Sequence, residues 1–393
     1  MANSTASQPW RVVFGRNVIS PSVVVDGITP QNIFVAGTDK NSGEIELTTD
    51  NLSSRPVWSP DGTKIAFVRG GKSGGIFVMD ADGTNARRIT TGDYWLGTLT
   101  WSPNGKRLAY DVRIAGNFNG QLSPLERPIY VADMVSDAPP RLLLSNGSSP
   151  SWSPDGTQIA YTCVRRTGSR EWTLSICTIS ANANSDARLL IDRARNPLWS
   201  PDGAQILYIS IAEPKPHLFV AQVDGSNSRR LSDKSHDVIS ASWSPNGKYI
   251  AFTSNRVMDN GFATTAHFEG PDSGMFQGEP GGIDPAITQG VQSNSVARSQ
   301  KLPELFVTNA DGSGLVHIAP KQNVWCDQFS WSPDSSSIAG ICGSGPANPS
   351  GYRWRLATDS IFVLSVIHPH SKPRVIAQSG IENISAAPSA PQK

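Results

Sequence analysis

The chain is patterned as short apolar runs separated by turn-forming clusters. Ile65-Ala-Phe-Val68 and Ile76-Phe-Val-Met79 are typical, with Gly, Pro, Ser, Asn and Asp around them. Such runs read as β-strands, and the long Ala/Glu/Lys/Leu stretches of a helical protein are missing. The pattern recurs. Trp58-Ser-Pro-Asp-Gly62 returns as Trp101-Ser-Pro-Asn-Gly105, Trp152-Ser-Pro-Asp-Gly156, Trp199-Ser-Pro-Asp-Gly203, Trp243-Ser-Pro-Asn-Gly247 and Trp331-Ser-Pro-Asp-Ser335. After each turn come two apolar strands, a turn such as Asp80-Ala-Asp-Gly83 and a short strand such as Arg88-Ile-Thr90, which makes four strands per repeat.

Each part of the repeat has a physical reason. Pro fixes φ at the first central position of the turn, and Asp-Gly or Asn-Gly tolerates the left-handed backbone that closes it. The Trp before the turn supplies volume to fill the space between stacked sheets. This geometry accounts for the Ser of Trp-Ser-Pro as a turn residue, so it is not read as a nucleophile. Successive tryptophans lie 43, 51, 47 and 44 residues apart, the spacing of propeller blades, and only the interval from Trp243 to Trp331 is much longer.

Strands are left over at both ends. Trp10-Arg-Val-Val-Phe14, Ile33-Phe-Val35 and Ile45-Glu-Leu-Thr48 look like the second to fourth strands of a blade without its first. Ile381-Glu-Asn-Ile-Ser-Ala-Ala-Pro-Ser389 parallels Val238-Ile-Ser-Ala-Ser-Trp-Ser-Pro245, where a first strand is expected. The expected fold is therefore all-β: a single seven-bladed β-propeller over residues 10–388, with six Trp-Ser-Pro blades and one blade closed by both termini. Tails are expected at 1–9 and 389–393. Six blades is the alternative, if the end strands supplement an existing blade. Residues 257–303, rich in Gly, Pro, Ser, Asp and Gln, explain the long interval as a loop inserted in the sixth blade.

From Trp58 to Thr90 the order Trp-Ser-Pro-Asp-Gly, Ile-Ala-Phe, Ile-Phe-Val, Asp-Ala-Asp-Gly and Arg-Arg-Ile-Thr resembles the TolB-type (WD40-like) propeller repeat. The resemblance covers about Trp58 to Ile376, with degenerate copies such as Ser335 in place of Gly. It implies the propeller fold. An amino-terminal α/β domain like that of TolB is not expected within these residues. Members of this family include periplasmic scaffolds, propellers attached to peptidases and polysaccharide lyases, so the resemblance alone does not choose a function.

Alternating strand direction puts the Ser-Pro-Asp-Gly and Asp-Ala-Asp-Gly turns on one face. The second-to-third-strand loops and the blade connections share the other, which carries Val112 to Pro128, Arg165 to Trp172, Gly343 to Leu356 and the insertion. Long, dissimilar loops are where function is expected. Blade connections bring Asp93, Tyr94, Trp95, Arg193, Arg195, His236, Asp237, Trp325 and Asp327 toward the channel mouth, and Arg353 and Trp354 come from a loop on the same face. Guanidinium groups fork onto carboxylates and indole faces stack on sugar rings, so the arginines, aromatics and nearby acids are candidate ligand-binding residues. His236 and Asp237, with His267 and Glu269 of the insertion, are the candidate acid/base residues. The plainer reading beside these is of ordinary polar connections whose aromatics cap the blade interfaces.

No spacing matches a metal-ligand motif. His368-Pro-His370 falls on the stereotyped face, and Asp80-Ala-Asp-Gly83 lacks the bidentate Glu of a calcium loop. No cofactor is expected, although the acidic groups of the insertion leave room for a divalent cation. The net charge of +1 excludes the one-sided basic surface of a nucleic-acid binder, and no apolar run is long enough to span a bilayer. Four cysteines form two local pairs on neighbouring strands, Cys163 with Cys177 and Cys326 with Cys342. Both pairs are within reach of disulfide formation, which favours an exported protein, periplasmic or extracellular, over a cytosolic one. The expected function is a binding scaffold that holds a protein or a small anionic or saccharide ligand. The alternative is an enzyme, a lyase or other non-hydrolytic catalyst acting on a carbohydrate or secondary metabolite.

Overall fold

In the computed structural model, neighbouring strands pair into seven antiparallel sheets of four strands each. The residues described are 9–17, 31–39, 42–71, 74–90, 94–114, 127–136, 138–168, 172–182, 186–256, 303–318, 324–344, 360–369, 371–378 and 381–388, and none of them is helical. Blade two shows the plan: Ser53–Trp58 is innermost, Lys64–Arg69 and Gly75–Asp80 follow, and the exposed Arg87–Arg88 forms the outer edge. Each sheet is covered on both faces. Ile65, Phe67 and Met79 pack toward blade one, while Ala66, Ile76 and Val78 pack toward blade three. That is why the middle strands read as continuous apolar runs and not as alternating ones.

The repeated tryptophan does two jobs. It lies opposite an apolar residue of the second strand, as in Trp58 with Ile65, Trp152 with Ile159 and Trp331 with Ile338. In Trp101, Trp152, Trp243 and Trp331 the indole N–H also reaches the preceding blade. Trp101 donates to the Val57 carbonyl at 3.2 Å and Trp243 to the Leu198 carbonyl at 3.3 Å.

Blade one is assembled from both ends of the chain. Trp10–Asn17, Gln31–Gly37 and Glu44–Glu46 supply three strands, and Ile381–Pro388 is the innermost. Ala386 sits opposite Val12, where the other inner strands carry Trp. The missing volume comes from the adjacent strand. Trp10 is buried and clusters with Ala339, Ile341 and Ile361 of blade seven. Buried clusters seal the remaining interfaces as well, so the ring has seven blades and the six-blade alternative is excluded.

Both cysteine pairs are disulfides, Cys163–Cys177 and Cys326–Cys342. Cys326 stands opposite Cys342 because a bulge at Asp327 absorbs one residue of register. Cys177 is diagonal to Cys163, two rungs along, opposite Tyr161.

Candidate functional site on the long-loop face

The stereotyped face spends its polar groups on itself. Ser153 Oγ donates to Asp155 Oδ1 and accepts from the Gln158 N–H, and Asp155 also accepts from the Thr157 N–H. The same knot recurs at Ser59 with Asp61, Ser200 with Asp202 and Ser332 with Asp334, and with Asn in place of Asp at Ser102–Asn104 and Ser244–Asn246. These groups are committed to closing turns.

The opposite face is irregular. Inner strands carry β-bulges near this end, between Ser54 and Val57, Leu96 and Leu99, Ser148 and Ser151, and Arg195 and Leu198. Arg55, Ser149 and Asn196 at these bulges have φ of 50°, 52° and 54°, left-handed values that cost non-glycine residues energy. Each precedes a proline, Pro56, Pro150 or Pro197. The bulges also stitch blades together. Arg55 Nη1 donates to the Gly97 carbonyl at 3.1 Å, and the Asn196 N–H donates to Thr162 Oγ1 at 2.9 Å. For three of the four, the sequence signal is Xaa-Pro with the Pro two residues ahead of the Trp; the bulge ahead of Trp101 has none.

His236 begins the inner strand of blade six and is buried. Its partner is Asp233, three residues upstream, with Nδ1 to Oδ1 at 2.7 Å, and not the adjacent Asp237 that the sequence pairs it with. Asp237 is partly buried on the strand, opposite Asn255. The His236 ring stands edge-on to Phe306 and Phe252, with centroids 4.6 and 5.6 Å away, and its Nε2 has no hydrogen-bond partner among the described residues. Nearby, His217 is also buried, with Nε2 3.5 Å from Glu213 Oε2. Burial is the main cause that lowers its pKa. Arg230 and Lys215 add to this, while Glu213 and the His236 main chain oppose it. Sequence reasoning missed His217 and Asp233; the spacing Asp233-x-x-His236 is the one local hint.

Arg193 is exposed with φ of 48°, and Arg195 is partly buried opposite Ile209. Tyr94 and Trp95 lie on the inner strand of blade three, and Trp325 and Asp327 lie on that of blade seven, with Asp327 at the bulge. Asp93, His267, Glu269, Arg353 and Trp354 lie outside the described residues. A second feature that the sequence reading passed over is the buried ion pair of Asp111 and Arg127, 2.5 Å apart, with the Thr98 N–H on the other carboxylate oxygen at 2.7 Å. Gly97 is required beside it, because a Cβ there would come within 2.2 Å of Asp111 Oδ2. Among the described residues no three His, Cys, Asp or Glu side chains gather as metal ligands.

A closed ring of blades with one tied-off face and one irregular face defines a β-propeller of the kind that displays loops around a channel mouth. Its repeats are similar to the TolB-type propeller repeat. The TolB beta propeller domain model matches residues 129–262. The chain is 37% identical over 101 residues to the Tol-Pal system protein TolB of Gluconobacter oxydans, covering 25% of this chain and 22% of that one. To TolB of Francisella tularensis subsp. mediasiatica it is 28% identical over 289 residues, covering 69% of this chain and 64% of that one. The chain thus spans less than two thirds of these relatives. Among solved structures, the propeller domain of the Trilobed protease from Pyrococcus furiosus shares the fold with a TM-score of 0.58 and 14% identity, covering 95% of this chain and 94% of that one.

Proposed function

We propose that this protein is a binding scaffold whose long-loop face and channel mouth hold a protein or a small anionic or saccharide ligand. The asymmetry of the two faces carries this reading. Polar groups on the Ser-Pro-Asp-Gly face are consumed by their own turns, whereas the other face spends strain on bulges and presents Arg193 at the rim. Strained bulges recur at working surfaces, and those at Arg55, Ser149 and Asn196 lie at this mouth, whereas the positive φ values of Asn85, Asn227 and Ser335 on the other face belong to its stereotyped turns. The two disulfides support export to an oxidising compartment. The test is a thermal-shift screen against uronates, neutral oligosaccharides and small organic acids, run on the natural protein and on Arg193→Gln. A ligand that raises the melting temperature of the natural protein, and raises it less for Arg193→Gln, is the expected result. Equal shifts in both proteins would remove the rim arginine from the binding face.

One observation favours a second reading, catalysis. Asp233 at Nδ1 leaves His236 Nε2 unpartnered among the described residues but buried beside Phe252 and Phe306, so it serves as a general base only if the blade-five and blade-six junction opens to substrate. A β-elimination assay on uronate polymers with His236→Gln as the control decides it, since loss of product formation with retained binding is expected only of an enzyme.

A further inference from the structure

Blade four carries something its neighbours lack. Its second and third strands, Gln158–Arg166 and Trp172–Ser180, outrun both flanking strands. Pairing with the first strand stops at Ser148↔Thr162, and pairing with the fourth stops at Asp192↔Ser175. The rungs Val164↔Leu174, Arg165↔Thr173 and Arg166↔Trp172 therefore extend beyond the last rung shared with either flanking strand. In blades two and five the corresponding last residues, Arg69 and Ser210, are paired on both sides.

A two-stranded ribbon is marginal in water on its own. This one is fastened at its root by the Cys163–Cys177 disulfide and braced on a flank by Arg165 Nη1 to Asp192 Oδ1 at 3.1 Å. Its outermost described rung holds Trp172, which is 50% exposed, while the other tryptophans with described side chains are 4% to 9% exposed. The Arg166 guanidinium lies 5.7 Å from the Trp172 ring centre. A stiffened arm thus ends in one solvent-facing indole with Arg166 beside it, its Nε donating to the Gly168 carbonyl at 2.9 Å, while Arg165 faces the opposite side of the ribbon.

We propose that this ribbon is a contact arm for an acidic saccharide, with Trp172 as the stacking platform and Arg166, on the same face, as the cation that meets a uronate carboxylate. An indole face covers the C–H face of a sugar ring, and guanidinium groups bind carboxylates bidentately. A projecting ribbon suits an extended polymer lying across it, whereas an enclosed small molecule needs a concave site. The proposal rests on the reading of the long-loop face as the binding face.

The experiment is affinity electrophoresis through polygalacturonate, with dextran as the neutral control, on the natural protein, Trp172→Ala and Arg166→Gln. Both side chains are exposed, so both variants should fold, and melting curves confirm it. The expected result is retardation by polygalacturonate but not by dextran, with apparent affinity reduced about tenfold in Trp172→Ala and reduced also in Arg166→Gln. Equal retardation of the natural protein and Trp172→Ala overturns the arm, as does the absence of any retardation. If retardation survives both arm variants but is lost in Arg193→Gln, the arm falls while the binding-face reading stands.

Discussion

At the scale of single residues, His217 ties the stability of the blade-five and blade-six junction to pH. Burial and the neighbouring Arg230 and Lys215 disfavour its imidazolium, with Glu213 pulling only partly the other way. Its folded pKa therefore lies below that of the unfolded chain, near about 6.5 for histidine. The unfolded chain binds the proton first, so this contribution to stability is complete above the unfolded value and is lost as pH falls through the lowered folded value. His217→Gln should flatten the fall in melting temperature between about pH 7 and about pH 5 relative to the natural protein. Identical slopes for the two proteins would show that the group does not contribute. Nothing in the sequence marks His217, which begins an ordinary-looking apolar strand, His217-Leu-Phe-Val220. Its burial depends on Val238 of the next blade, whose N–H donates to the Pro216 carbonyl and closes the junction over it. Asp111 was more legible in principle. It places an acid in Leu108-Ala-Tyr-Asp-Val112, where the equivalent position of blade two is Val68.

At the scale of the element, the turn knot was readable because it is local. Pro, Asp and Gly at fixed offsets state their own φ values, and the strands on either side follow from runs of β-branched and aromatic residues. The bulges were not read, because a bulge is a relation between two strands and one strand's sequence shows only half of it. The knot also predicts acid sensitivity. At Asp155 and Asp202 the Ser hydroxyl, then the backbone N–H two residues on, hold the carboxyl below its ordinary value. At Asp61 and Asp334 partial burial pulls upward and is outweighed by the same hydrogen bonds. Depressed carboxyl values contribute stability above the unfolded pKa of about 3.9, and that contribution is lost as pH falls through the folded values. Blades three and six already use Asn in this place, with Ser102 Oγ to Asn104 Oδ1 at 2.8 Å. Replacing Asp61, Asp155, Asp202 and Asp334 by Asn should therefore preserve the fold at neutral pH and move the acid-unfolding midpoint downward, as followed by tryptophan fluorescence. An unchanged midpoint would place the acid-labile groups elsewhere.

At the scale of the whole molecule, the ring was legible because six Trp-Ser-Pro copies count the blades and the unmatched end strands complement one another. The long-loop face was only half legible, because loops carry no period and the contact between Asp233 and His236 becomes visible only when a connection folds back. Closure makes the most demanding prediction. Ile381–Pro388 is the innermost strand of blade one and lies between two neighbours. Ser385 Oγ accepts from the Trp58 N–H of blade two at 3.3 Å, and the Ala386 N–H donates to Ser330 Oγ of blade seven at 3.1 Å. Removing residues from 381 onward would leave Trp10–Asn17 with an unpaired edge at the centre of the ring. It would also uncover the Trp10, Val12 and Phe14 cluster. An exposed, apolar inner edge invites pairing between chains. The truncated protein should melt at a markedly lower temperature, by roughly ten degrees or more, and self-associate in light scattering. A chain cut only after residue 388 should behave as the natural protein, because the strand that closes the ring is then intact. If the longer truncation melts like the shorter one, the joint between the termini does not hold the ring, and the interfaces between the six Trp-bearing blades alone carry its stability.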